Sequence, residues 1–228
     1  MSQSGIRSLC TLLTLLLLHS GAPLFGQAEL SVADSEALIK KLQAHREKAP
    51  ALSAEFIEEK TSYLLNKPIQ SEGTLAFQAP NKFRREIHGT NPSTTVCDGT
   101  KLWIYYPSFK EVELFSLGQQ AQCDDDIAVL TAGLNFENIA QFYSYRIFRD
   151  GTGYRFVLTP RAAGIKSIII EATVWLNSNF QIQKSEALLP KGDRVRTRYE
   201  NQRSAPIPAA RFEFTPPPGV HVSHPLGQ

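Results

Sequence analysis

Residues 32–48, VADSEALIKKLQAHREK, place Leu38, Ile39 and Leu42 on one stripe with charge around the rest of the turn. That spacing predicts an amphipathic helix, and Pro50 ends it. Beyond Pro50 the period drops to two. ALSAEFIEEK sets Leu52, Ala54 and Phe56 on one face, and GTLAFQAP does the same with Leu75 and Phe77. In KFRREI, Phe83, Arg85 and Ile87 alternate with Arg84 and Glu86, again the period of a strand. Asn66-Lys67-Pro68, Pro80-Asn81 and Asn91-Pro92 punctuate these segments, and Asp98-Gly99 between TTVCD and KLWIYYP is a strong hairpin signal. KEVELFSL is a further strand. YSYRIF, YRFVLTP, KSIIIEATVWL, FQIQKSEALL, DRVRTRYEN and RFEFTP follow after an interruption, with turns at Asp150-Gly151, Asn177-Ser178 and Gly192-Asp193.

One strand breaks the alternation. KLWIYYP carries Leu102, Ile104 and Tyr106 on one face and Trp103 and Tyr105 on the other. Either both faces are packed, or one lines an apolar space kept for something else. The interruption, residues 119–141, also differs from its surroundings. Asp124, Asp125 and Asp126 suit a helix start, and Ile127, Leu130 and Leu134 share a helical stripe broken near Gly133. One or two short helices inserted into a sheet fit this stretch. The fold class is therefore mainly β (α+β): about eleven strands in an antiparallel meander, with an N-terminal helix and an inserted helical segment. A sheet of that size must curl or close, and its apolar concave face needs a cover. The two helical segments are the candidates.

Composition narrows the function. The chain has 24 basic and 22 acidic residues, a balance that gives no reason to expect nucleic acid as a partner. Arg7, the apolar run Leu9–Leu18 and the small residues of Gly26-Gln27-Ala28 read as a secretory leader over residues 1–28, ahead of one domain at 29–228. The run is too short for a bilayer, which takes about 20 residues. Cys10 lies at the start of the run, where it does not suit lipid attachment. Export would permit a Cys97–Cys123 bond, but a strand end and a loop-to-helix stretch do not fix their separation, so separate thiols stay equally open.

Catalytic patterns are missing. None of the five histidines belongs to an HExxH motif; His221 and His224 fall in a C-terminal tail, and His45 on the polar side of the helix. No GxSxG or glycine-rich phosphate loop occurs. Asp124–Asp126 lacks the spaced ligands of a calcium loop, so no metal site is expected. Arg194, Arg196 and Arg198 alternate with Val195, Thr197 and Tyr199. This is either a docking stripe for an acidic partner or the wet side of a sheet, and the wet side is the simpler reading.

LSAEFIEE (52–59), GTLAFQAPNKFRRE (73–86), VCDGTKLWIYYP (96–107), FVLTPRA (156–162) and RFEFTPPPGVHV (211–222) resemble, in order and spacing, the pattern of the periplasmic lipoprotein carrier family LolA. The resemblance implies an unclosed half-barrel with a helical lid over an apolar cavity. It implies a periplasmic carrier, not an enzyme, with no cofactor. Such carriers take acylated lipoproteins from an inner-membrane ABC-type release complex to an outer-membrane lipoprotein receptor; a monomer is expected. On that reading Phe56, Leu75, Phe77, Phe83, Ile87, Leu102, Trp103 and Ile104 line the lipid-binding cavity. Where the family typically carries arginine, this chain has Ala79; where it often has tryptophan, this chain has Arg85. Arg85 is therefore expected to reach the lid, at Asp124–Asp126, Asn135 or Glu137, and hold it closed. The alternatives are a related carrier for another lipid or glycolipid, and a sensor or regulatory domain on the same scaffold.

Overall fold

The computed structural model describes residues 28–116, 139–161, 163–167 and 169–225. Helix α1 (Val32–Lys48) starts at Ser31, whose side-chain oxygen accepts the Asp34 amide at 3.1 Å. That bond satisfies one of the free amides of the first turn. Leu38, Ile39 and Leu42 are its buried stripe. The strands are β1 (Ala51–Thr61), β2 (Ile69–Gln78), β3 (Lys82–His88), β4 (Ser93–Cys97), β5 (Lys101–Tyr106), β6 (Glu111–Ser116), β7 (Tyr143–Asp150), β8 (Gly153–Pro160), β9 (Glu171–Leu176), β10 (Ile182–Leu188), β11 (Arg194–Arg203) and β12 (His221–Ser223). Two one-turn helices, α2 (Ile139–Phe142) and α3 (Ala163–Lys166), precede β7 and β9.

All twelve strands form one sheet, ordered β12-β6-β5-β4-β3-β2-β1-β11-β10-β9-β8-β7. The chain meanders outward from β1 to β6, re-enters at the opposite edge as β7, and returns to β11, which pairs with β1. β12 and β7 are the two edges, so the sheet is unclosed. Only the short β12–β6 pair is parallel. Residues 28–30 shield the β7 edge: the Leu30 amide donates to the Ile147 carbonyl at 2.8 Å and the Arg149 amide to the Ala28 carbonyl at 3.0 Å. Around Ile147 and Arg149 the edge groups are thus satisfied, which keeps that stretch from templating another chain.

Register fixes the faces. Phe56 stands opposite Gly73 and Tyr199, Ala54 opposite Leu75, and Leu52 opposite Phe77. Leu75 in turn faces Arg85, Phe77 faces Phe83, and Cys97 faces both Phe83 and Leu102. This row belongs to one buried cluster that also takes Leu38, Ile39 and Leu42 of α1 and Ile147, Phe156 and Val174 of the far strands. The helix thus covers part of the concave face. Each fully buried large side chain there contributes about 1.5–3 kcal/mol over its exposed state.

Three segments differ from the pattern-based expectation. RFEFTP is not a ladder strand: residues 209–212 form a 3-10 turn and Phe212 is fully buried. KSIIIEATVWL is a strand only over Glu171–Leu176. His221 begins β12 and so is not in a loose tail. All three depend on long-range docking, which alternation cannot register. The inserted helical stretch, with Cys123, Asp124–Asp126, Asn135 and Glu137, lies outside the described residues, save its end at Ile139–Phe142.

Candidate functional site

The site is built on β1, β2 and β3 from one side and β9, β10 and β11 from the other. β1 turns Phe56 and Glu58 to the concave face, β2 turns Leu75, and β3 turns Phe83 and Arg85. Beside β1, β11 presents Val195, Thr197 and Tyr199, and β10 presents Ser185 and Ala187. Between them lies a cavity of about 290 Å³, walled mainly by Phe56, Leu75, Phe83, Ile169, Ala172 and Leu189.

Gly73 makes this geometry possible. A Cβ there would stand 1.9 Å from the Glu86 carbonyl oxygen and 2.7 Å from Phe56 Cζ. Only glycine lets the Phe56 ring lie across β2. The Arg85 guanidinium stacks over that ring, 4.5 Å from its centroid. A cation on an aromatic face away from bulk water is stabilised by the ring quadrupole.

Arg85 Nη2 also donates to Glu58 Oε2 at 2.6 Å, and the Thr197 hydroxyl donates to the same oxygen at 3.3 Å. The two charged side chains are only 22% and 19% exposed, so this pair sits within the site and not in bulk solvent. Nearby, the Ser185 and Tyr199 hydroxyls are 3.3 Å apart, and burial pushes the Tyr199 phenol up from its ordinary pKa. The phenol therefore stays neutral. The cavity is an apolar trough with one compensated ion pair and three hydroxyls, those of Ser185, Thr197 and Tyr199. No cluster of metal-ligating side chains occurs among the described residues.

Of the residues expected at the cavity, Phe56, Leu75 and Phe83 line it, and Arg85, expected at the lid, lines it beside them. Phe77, Ile87, Leu102 and Ile104 share the concave face but pack with the buried cluster. Trp103 is on the opposite, convex face, a correction to the expected set. Its ring lies 5.8 Å from Phe214, and Tyr105 sits at the same distance. KLWIYYP is thus packed on both sides, with the C-terminal segment as its outer cover. The expected lid partners of Arg85 lie outside the described residues, and the carboxylate it meets is Glu58 of its own sheet.

Glu58, Ser185, Thr197 and Tyr199 did not enter the sequence-derived site. One signal was available for Glu58: it shares the inward phase of Phe56, so a lone carboxylate fell on an apolar stripe. For Thr197 and Tyr199 the signal was their alternation with the arginines of β11.

On the convex face, Glu86 holds the C-terminal segment. Its Oε1 accepts Arg84 Nη2 at 2.7 Å, and its Oε2 accepts Arg211 Nη2 at 2.7 Å and the Thr74 hydroxyl at 3.1 Å. Farther along, Arg194 and Arg196 share Glu186, and Arg198 pairs with Glu200. The arginine stripe is solvated and internally neutralised.

The sequence profile described as "Outer membrane lipoprotein carrier protein LolA" matches residues 47–215. An outer-membrane lipoprotein carrier protein of Dechloromonas aromatica is 28% identical over 224 residues, covering 96% of each chain. One from Pectobacterium carotovorum is 29% identical over 183 residues, covering 79% of this chain and 85% of its own. Among solved structures, a LolA superfamily protein from Nitrosomonas europaea superposes with a TM-score of 0.45 at 13% identity, covering 78% of this chain and 97% of its own.

Proposed function

The chain belongs to the outer membrane lipoprotein carrier (LolA) family, and from that premise we propose that its concave cavity shields the acyl chains of lipoproteins in transit. The family is one of periplasmic transport proteins, not enzymes, and a lipoprotein carrier binds lipoproteins. In this proposal residues 1–28 direct export and are removed, and 29–228 form the carrier domain. Cargo comes from an inner-membrane ABC-type release complex and goes to an outer-membrane receptor.

The supporting observation is the apolar trough itself. Each acyl methylene moved from water into it gains about 0.8 kcal/mol. A cavity of about 290 Å³ is at the lower end of ligand sites. Loading several chains therefore requires the concave face to widen, and an unclosed sheet can do that without breaking its ladder. Phe56, Leu75 and Phe83 would meet the chains first. Phe77, Ile87, Leu102 and Ile104 would be reached as the face opens. Arg85, tied to Glu58, would set a polar boundary within the trough.

Mass spectrometry of what the purified protein carries tests this. A triacylated lipoprotein is expected, and Leu75→Glu should abolish its capture, because an unpaired carboxylate in an apolar cavity is costly. Free lipid alone as the bound species would replace this reading with that of a lipid carrier. Undiminished capture by Leu75→Glu would move the cargo elsewhere.

A further inference from the structure

Among the described residues the exposed large hydrophobic side chains are Val32, Ile57, Tyr63, Leu64, Leu65, Ile69, Phe109 and Ile170. The sheet register places most of them at one end. β1 ends at Thr61, opposite Arg194 at the start of β11, and Ile69 opens β2 opposite Lys60. β5 ends and β6 begins at this same end, which carries Phe109 in the intervening turn. The Ile170 amide bonds the Leu188 carbonyl, where β10 runs into its turn toward β11. Tyr63, Leu64, Leu65, Ile69, Phe109 and Ile170 therefore crown one rim.

The cavity reaches the same rim. Val195 and Leu189 line it, and Val195 is the register partner of Lys60. Tyr63 and Leu64 are 73% and 74% exposed, at the tip of the hairpin that projects beyond that opening. A folded domain in water does not gather its exposed apolar side chains by chance at one end. Exposed Lys60, Lys67, Lys110 and Lys191 stand on or beside these turns, whereas the acids next to them, Glu59, Glu111, Glu171 and Asp193, are half-buried and residues 60–70 contain none.

We propose that this rim docks on an anionic lipid bilayer surface. Tyrosine and leucine at a tip, with lysines behind them, match the layered polarity of a membrane interface. The apolar side chains enter the acyl boundary, and the ammonium groups stay among the phosphates. Anionic headgroups supply the countercharge, a contribution that salt weakens. Docking in this pose holds the cavity opening toward the membrane. That last consequence rests on the carrier reading; the docking itself does not.

Co-flotation of the purified protein with cargo-free vesicles tests the docking alone. Binding to vesicles of phosphatidylethanolamine and phosphatidylglycerol is expected, at least roughly ten-fold stronger than to phosphatidylcholine vesicles and weaker in high salt. Leu64→Ser combined with Leu65→Ser, and separately Lys67→Glu combined with Lys191→Glu, should each reduce it by at least roughly ten-fold. All four positions are exposed, so the unfolding midpoint should stay unchanged. Capture of a triacylated peptide in solution should also be unchanged in both variants; its loss in the native protein would count against the carrier reading and not against docking. Absence of native flotation, or equal flotation of native protein and variants, overturns the proposal. A concentration-dependent dimer abolished by Leu64→Ser with Leu65→Ser, without vesicle binding, would assign the rim to a second copy and overturn it too.

Discussion

On the concave side of β3, Arg85 reaches one carboxylate, one aromatic ring and an apolar trough. One residue on, across the sheet, Glu86 gathers two arginines and a hydroxyl and clamps a peptide segment. The same alternation produces both, yet the surroundings differ. The concave pair is kept from water by apolar walls, so its members depend on one another. Arg84 and Glu86 are about as exposed as that pair, at 18% and 21%, but Glu86 has several partners, so losing one of them strands no charge. A residue's place on a strand does not define its role; the material behind the strand does. Four substitutions, in descending expected effect, sharpen or break this contrast.

Phe83→Ala should have the largest effect. Phe83 is 1% exposed and stands between Phe77 and Cys97 on the concave face. Truncation removes its transfer energy and leaves a void, for a loss of about 3–5 kcal/mol in denaturant unfolding. A loss near 1 kcal/mol would mean that the concave face relaxes into the adjoining trough, and that the core and the cavity are one soft region.

Arg85→Leu follows. It leaves Glu58 with the Thr197 hydroxyl alone in a mostly apolar site. A fully buried pair broken this way costs more, but these groups keep some solvent, so about 1–3 kcal/mol is expected. Adding Glu58→Leu should restore most of that loss, because the stranded carboxylate is gone. The double-mutant cycle measures the coupling directly. Additive losses would show that Arg85 works through Phe56 or through residues not paired with it here.

On the convex face Glu86→Gln should cost about 1 kcal/mol, through weaker bonds to Arg84 and Arg211. Burial pushes the Glu86 carboxyl up, but the hydrogen bonds and charges of Arg84 and Arg211 outweigh it and hold the group below the usual carboxylate range. A depressed folded-state value means stabilisation that is present above the unfolded-state value and is lost as pH falls through the folded-state one. Acid should therefore loosen the 209–214 segment and change the Trp103 fluorescence beneath Phe214, and Glu86→Gln should remove that pH response. A native protein whose Trp103 signal ignores acid would show that Phe212 and Phe214 hold the segment unaided.

The two faces were unequally legible in the sequence. Helix α1 and strands β1 to β6 follow from periodicity and from turns such as Asp98-Gly99, where the Asp98 carboxylate accepts the Thr100 and Lys101 amides at 2.7 and 2.8 Å. Period two also put Arg85 on the face of Phe83 and Ile87. It could not say that Phe77 and Leu102 would be packed while Leu75 faces a trough, since the difference depends on where α1 settles. Trp103 was misplaced for a related reason. Its cover, Phe214, is over a hundred residues away on a segment whose alternation mimics a strand. Glu58 was missed because a carboxylate on an apolar phase is interpretable only once its arginine is known.

The smallest effect belongs to Arg196→Ala. Arg196 Nε donates to Glu186 Oε2 at 2.8 Å, yet the side chain is 56% exposed. Glu186 keeps Arg194 Nη1 at 2.5 Å when Arg196 is removed, so no charge is stranded. The hydrogen bond to Arg196, ahead of opposing burial and of Arg194, holds the Glu186 carboxyl below its usual range; losing one of two arginines should weaken that depression without abolishing it. With water replacing the lost donor, stability should change by no more than about 0.5 kcal/mol in denaturant unfolding. Cargo capture should be unchanged, because the convex face is separated from the trough by the thickness of the sheet. Normal stability with impaired hand-over of lipoprotein to the outer membrane would break the comparison on its convex side. The arginine stripe would then be a docking surface whose charges are only provisionally paired with Glu186 and Glu200.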